Sequence, residues 1–285
     1  MLTALAFLLL AGAAQDPRPG AEPDGNKLVR VELVAERAKI HPGEHFALAA
    51  QLSVSRGWHI YWGENAGDTG VPTRLELDVP KGFEAGPARF PVPLRHEDPG
   101  QLTSFVHEGV VLVLFDVVAP AKLEPGAKLD FSLSAKWLVC TSRCFEGEGE
   151  ASLQLESAAA GEPVPANEAL FKDARAKLPR PLSELKGLNT GVKIDVLKRE
   201  ECVFEVSAPS VLELSFMPAD QRDPAFVSAA TTAGEKGPSL DLLYRWKNAP
   251  KGDQQIGCPG ILNVKSKEGT ASYWFDHKYF AGYGN

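Results

Sequence analysis

Between residues 28 and 157 the chain is written in short runs that alternate apolar and polar residues, many of them closed by a glycine or proline turn. A period of two places successive side chains on opposite faces of an extended strand. The runs are LVRVELVAE (28–36), FALAAQLSVS (46–55), TRLELDVP (73–80), VVLVLFDVVAP (110–120), KLDFSLSAKWLV (128–139) and EASLQLES (150–157). HPGE (41–44), PKG (80–82) and EPG (124–126) read as turns. Strands with one apolar face must cover it with a second sheet, so this half is expected to be a β-sandwich spanning 27–157.

The pattern breaks over 158–189. There Asn167 is placed to cap a short helix, ANEALFKDARAKL (166–178), which Pro179 ends. Strand text then returns in GVKIDVLKR, CVFEVSAP, VLELSFMP, SLDLLYRWK, ILNVKSK and TASYWFDH. The expectation is an all-β protein: two sandwich domains, 27–157 and a smaller 190–285, joined by a linker carrying one helix. The 285 residues suffice for two domains, and 44% hydrophobic residues suffice for their cores. A formal charge of −7, with Lys and Arg scattered, argues against a nucleic-acid partner.

MLTALAFLLLAGAA (1–14) is an apolar run ending in small residues, which reads as a secretory signal peptide, although its n-region lacks Lys and Arg. The polar QDPRPGAEPDGN (15–26) reads as a flexible leader. No other segment approaches the ~20 apolar residues a membrane helix needs, so no span is expected in the mature chain. Export places the protein in an oxidising compartment, the periplasm or its equivalent, where four cysteines tend to be paired.

The cysteines differ in what pairing would achieve. Cys202 and Cys258 would close a long loop worth about 4 kcal/mol, and a structural disulfide is the favoured reading, with free thiols or a second redox pair as alternatives. Cys140 and Cys144, in WLVCTSRCFEGEG (137–149), would close a ring worth only about 2 kcal/mol before strain. Short rings strain the bridge and ease its reduction, and Arg143 inside this one favours a thiolate. The pair therefore leans toward a reactive dithiol. A metal clip lacks the remaining ligands: no histidine stands nearby in sequence, although two thiolates suit Cu(I). No cofactor or metal is expected.

Trp58, Tyr61 and Trp62 read as core and rim aromatics or, alternatively, as a docking surface. GENAGDTGVP (63–72) is a polar loop without a phosphate-binding arrangement. Glu64 and Asp68 lack the spacing of a calcium loop. His59, His107 and Glu108 are candidates for proton transfer near the dithiol, with plain surface positions as the alternative. No hydrolase signature is present.

GWHIYWGENAGDTGVPTRLEL (57–77), FPVPLR (90–95), SFVHEGVVLVLFDVVAP (104–120) and AKWLVCTSRCFEGEGEASLQL (135–155), in that order, resemble the N-terminal periplasmic domain of the DsbD thiol:disulfide interchange family, in particular its larger DsbD/ScsB-like members. The resemblance implies an immunoglobulin-like sandwich that relays reducing equivalents by thiol–disulfide exchange. It implies that Cys144 forms the mixed disulfide, that Cys140 resolves it, and that Phe105 lies where the family has a cap over the pair, a plain core ring being the alternative. It also implies a membrane electron-donor protein with reactive cysteines on one side, and thioredoxin-like or disulfide-bonded clients on the other. The family joins this module to a membrane domain; without one here, a separate donor is expected. The competing reading is a non-catalytic exported sandwich that binds a partner or copper.

Overall fold

The computed structural model describes residues 22–161, 163–194, 201–208, 211–219, 225–234, 237–247, 255–276 and 278–280. The expected signal peptide and residues 15–21 of the expected leader lie outside them. In chain order the N-terminal strands are β1 (Val29–Ala35), β2 (Arg37–Ile40), β3 (His45–Val54), β4 (His59–Tyr61), β5 (Arg74–Asp78), β6 (Glu84–Ala85), β7 (Leu94–Asp98), β8 (Leu102–Glu108), β9 (Val110–Val118), β10 (Lys128–Cys140), β11 (Cys144–Ser157) and β12 (Val164–Pro165). Then come β13 (Arg180–Pro181), β14 (Asn189–Ile194), β15 (Glu201–Ser207), β16 (Glu213–Pro218), β17 (Ala225–Gly234), β18 (Gly237–Arg245), β19 (Gln255–Gly257), β20 (Gly260–Ser266), β21 (Gly269–Phe275) and β22 (Lys278–Phe280). The two α-helical segments are α1 (Gly25–Leu28) and α2 (Glu168–Ala176). The protein is mostly β.

One N-terminal sheet runs β1-β3-β9-β6 and the other β12-β2-β11-β10-β4-β8-β7, with β5 also paired to β10. The alternation of β10 sets its inner face: Leu129, Phe131, Leu133, Ala135, Trp137 and Val139 all enter one core. Within it Phe46, Phe83 and Phe131 meet edge to face, with centroids 5.6 to 6.4 Å apart, the arrangement the ring quadrupole prefers. The C-terminal strands form sheets β13-β21-β20-β16 and β14-β15-β18-β17, with a separate β19-β22 pair. Phe204, Leu242, Tyr244, Leu262 and Phe275 lie in a second core. Ala219 and Ile261 bury themselves instead against the N-terminal core, and Asn65 donates its amide to the Pro218 carbonyl across the junction at 2.9 Å.

β9 is apolar on both faces because α2 covers its outer side. Phe171, Ala174 and Leu178 pack there on Ala47, Ala49, Leu112 and Leu114. The helix expected in a linker is therefore a layer over the N-terminal sandwich. Asn167 stands at its N-cap as expected, but its side chain donates to the Ala35 carbonyl at 2.9 Å and does not cap the helix.

Glu36, 8% exposed between β1 and β2, fixes the other end of this layer. Arg175 donates to both its carboxylate oxygens, at 2.7 and 2.9 Å, and the Ala47 amide donates at 3.1 Å. The Arg175 hydrogen bonds, ahead of the opposing effect of burial, hold the Glu36 carboxyl below its ordinary value of 4.5. A depressed carboxyl stabilises the fold above its unfolded pKa, and the contribution fades as pH falls through the folded value. Arg175→Met is expected to lose about 1–2 kcal/mol at pH 7, a figure reduced for the 44% exposure of the arginine side chain. Urea melts of both proteins should converge as pH drops below about 4.5; a gap that stays constant with pH would rule the ion pair out as its source.

Residues 22–26 of the expected leader lie among the described residues. They are placed against the β10–β11 hairpin, and Asp24 accepts the Asn26 amide at 3.1 Å to start α1. Trp137 Nε1 donates to the Gly25 carbonyl at 3.2 Å, and the Glu148 amide donates to Asn26 Oδ1 at 2.8 Å. Gly147 makes this approach feasible: a Cβ there would lie 2.3 Å from Trp137 Nε1 and 2.8 Å from the Gly25 backbone.

Candidate functional site

Cys140 and Cys144 are the last facing pair of the β10–β11 hairpin and are joined by a disulfide. Only Thr141, Ser142 and Arg143 separate them, and the Thr141 amide donates to the Arg143 carbonyl at 3.0 Å. The two sulfurs are not equivalent. Cys140 is 1% exposed, whereas Cys144 is exposed at the end of the hairpin.

Strand alternation decides what surrounds them. Val139 points into the sandwich core, so Cys140 points to the outer face of the larger sheet. It packs there with Tyr61, Ala66 and Val106, and with partly buried Leu138. Tyr61 Oη donates to Cys140 Sγ at 3.4 Å. Burial, with Asp98 nearby, raises the tyrosine pKa and keeps the hydroxyl a donor. The loop over 63–72 lies against this ring: Gly70 has φ +88°, and a Cβ on it would sit 2.3 Å from Tyr61.

The strand register carries the site further. Glu108 of β8 faces His59 of β4, His59 faces Cys140 of β10, and Cys140 faces Cys144 of β11. Directly opposed residues have Cβ atoms about 5 Å apart, so the four form one row across the sheet. His59 contacts the Tyr61 ring at 5.5 Å and the His96 ring at 5.6 Å. Burial first, then the charge of His96, lowers its pKa, while Glu108 and Asp98 oppose the shift. The shift favours the neutral imidazole, which can accept a proton. Asp98 accepts from Thr69 Oγ1 at 3.1 Å and from Ser104; chiefly the Ser104 hydrogen bond holds its carboxyl below the ordinary range.

Several expected residues stand elsewhere. Phe105 is not over the pair. One residue from Val106 on β8, it faces the opposite way, 3% exposed in the main core and edge-on to Trp62 at 6.1 Å. His107 shares that face: it stacks on Phe90 at 6.0 Å, and burial lowers its pKa to about 4. It cannot serve the dithiol from there. Arg143 is exposed and committed to Glu22 at 2.6 Å and to the face of Phe145 at 5.4 Å, so its charge is shared with partners other than sulfur. The bridge expected between Cys202 and Cys258 is not formed. Both are thiols, 1% and 0% exposed, entering the C-terminal core near Tyr244, where they pack as small apolar groups. Burial pushes the Cys202 pKa to about 12 and that of Cys258 higher still.

Tyr61 is the site residue that residue-by-residue reading left among core aromatics. Its signal was its position two residues from His59, on the same face of a strand. Trp62 is in the core, and Trp58 packs partly buried on Phe145 at 5.8 Å. Beside the hairpin, Asn26, Val71, Arg74, Trp137, Leu138 and Glu146 line a groove of about 580 Å3. Among the described residues, no group of three or more His, Cys, Asp and Glu side chains is arranged to hold a metal ion, and no helix is long and apolar enough to cross a membrane.

Residues 27–156 match the family described as thiol:disulfide interchange protein DsbD, N-terminal. Among solved structures, the N-terminal periplasmic domain of ScsB from Proteus mirabilis aligns over 93% of this chain and 97% of its own, with a TM-score of 0.56 at 16% identity. That likeness is one of fold and extends over the C-terminal sheets. A protein of unknown function from Porphyromonas gingivalis W83 aligns over 87% of this chain and 99% of its own, at 10% identity and a TM-score of only 0.20. No curated protein sequence matches the chain.

Proposed function

We propose that this chain, whose residues 27–156 make up a DsbD N-terminal domain, exchanges thiols and disulfides through Cys140 and Cys144. The observation that carries the reading is the asymmetry of the bridge: one sulfur exposed at a hairpin end, the other buried beneath Tyr61 and beside His59. In the reduced protein the Cys144 thiolate attacks a partner disulfide and releases one partner thiolate, leaving a mixed disulfide. The Cys140 thiol then loses its proton, attacks Cys144 Sγ and expels the second partner thiolate. Two electrons leave the protein, its own bridge closes, and the partner becomes a dithiol. His59 is suited to accept the Cys140 proton, and the Tyr61 hydroxyl to stabilise the sulfur anion.

The reverse sequence reloads the pair from a membrane electron-donor protein with reactive cysteines. The clients are thioredoxin-like or disulfide-bonded proteins of the periplasm. The C-terminal sheets are read as a second, smaller sandwich, linked through the segment that carries α2; their separate core supports this.

The test is a redox titration. The full chain is equilibrated in glutathione buffers, its thiols are trapped with an alkylating agent, and the trapped sites are mapped by mass spectrometry. Cys140 and Cys144 are expected to open together and reversibly, within roughly −120 to −270 mV. Cys202 and Cys258 should be alkylated only after denaturation. A pair that stays closed below about −300 mV is a staple, and the exchange reading fails.

A further inference from the structure

Trp62, Glu64, Phe90, Leu178, Pro181 and Trp274 line a cleft of about 470 Å3 where the N-terminal sandwich, the linker and the C-terminal sheets meet. The β13–β21 register sets Pro181 opposite Trp274, and the Val92 amide donates to the Lys177 carbonyl at 3.0 Å, so the three walls are tied together. Asn65, next to Glu64, makes the junction hydrogen bond to Pro218. Small-molecule sites fall in this size range, gather at domain junctions, and combine apolar walls with a few placed polar groups.

Glu64 is the placed group. It is largely buried, and among the described residues it has no hydrogen bond or ion pair. Arg74 acts on it as a counter-charge at a distance, its guanidinium donating to the Gly63 carbonyl at 3.1 Å and making no ion pair with Glu64. Arg89, also on the rim, is paired with Asp116 at 2.7 Å. Burial pushes the Glu64 carboxyl above its ordinary range, with Arg74 acting against that shift. A largely buried carboxylate whose counter-charge acts only at a distance is stabilised further by a cation brought into contact. Of the aromatic rings in the wall, Trp62 and Phe90 are buried, and Trp274, partly exposed, is the one placed to meet a cation.

We propose that this cleft binds a small organic cation, an ammonium or quaternary ammonium group on an apolar body. Its charge sits at Glu64 and its body lies against Phe90 and Trp274, over Trp62. The site is separate from the dithiol and does not rest on the exchange reading. Its test is titration of the full chain with benzyltrimethylammonium, followed by tryptophan fluorescence and calorimetry. Saturable binding is expected, with uncharged benzyl alcohol at least about tenfold weaker, the loss of roughly one charge interaction. Glu64→Gln should weaken binding about tenfold while keeping the wild-type circular dichroism and melting temperature; Trp274→Ala, which also removes a ring packed on the N-terminal core, should weaken it about tenfold when assayed below its lowered melting transition. Absence of saturation, equal affinity for benzyl alcohol, or wild-type affinity in a folded Glu64→Gln protein overturns the proposal.

Discussion

Cys144→Ser, reduced and mixed with 5,5′-dithiobis(2-nitrobenzoate), is expected to release thionitrobenzoate at least about a hundredfold more slowly than Cys140→Ser. The difference follows from where each sulfur lies. In Cys140→Ser the remaining thiol is Cys144, exposed at the end of the hairpin. In Cys144→Ser it is Cys140, 1% exposed beneath Tyr61, Ala66 and Val106. An attack on the reagent from there requires the outer face to open, and a local opening of about 3 kcal/mol already gives the hundredfold. The wild-type dithiol should release two equivalents, the second by attack of Cys140 on the capped Cys144. Cys140→Ser should stop at one and keep the cap, which is also the variant that holds a partner as a stable mixed disulfide. Cys202 and Cys258 contribute nothing on this timescale because both are buried with raised pKa values. If the two variants react at equal rates, the assignment of attacking and resolving sulfurs fails.

Strands that alternate cleanly were legible, because the alternation is the burial. KLDFSLSAKWLV reads as a strand with Phe131 and Trp137 inside, and both are there. The β7–β8 hairpin was not legible from its pattern. RHEDPGQLTS carries one large apolar side chain, Leu102, and β7 lies at the sheet's edge with little to bury, so no period marks it. The hairpin nevertheless brings Asp98 and Glu108 to the site. Phe105 illustrates a second limit. Phe105 and Val106 are both apolar and both buried, one inside the sandwich and one over Cys140. Only the pairing of β8 with β4 settles which is which, and a one-residue difference exchanges the faces.

Long-range partners were equally invisible. Glu22 takes up the charge of Arg143, and the gap at Gly147 gives the leader its seat against Trp137. Nothing local in QDPRPGAEPDGN announces either contact. The Cys140–Cys144 pair itself was legible from spacing, because facing residues on either side of a three-residue hairpin loop are brought opposite each other by the turn alone. Tyr61 and His59 became site residues only once β4 was laid alongside β10.

Phe131→Ala should lower the stability of the N-terminal sandwich by about 3–5 kcal/mol and leave the chemistry of Cys144 unchanged. The ring is 1% exposed and meets Phe46 and Phe83 edge to face, so its removal leaves a cavity among rings that cannot easily close on it. Domain stabilities are typically about 5–15 kcal/mol, so the loss is a large fraction of the whole. The urea midpoint should fall with the slope of the transition preserved. Phe131 and Cys140 share one strand yet lie roughly 30 Å apart at about 3.3 Å per residue, on opposite faces of the sheet. The packing at Phe131 anchors β10 in the sandwich, while hydrogen bonding to β4 and β11 fixes the end that carries the bridge. Below its melting transition, the variant with Cys140→Ser added should therefore react with 5,5′-dithiobis(2-nitrobenzoate) at the same rate as Cys140→Ser alone. A stability loss under 1 kcal/mol would mean the ring triad is not the anchor. A tenfold change in the Cys144 rate would mean that strain in the core reaches the hairpin end, and that the reactivity of the bridge depends on the whole of β10.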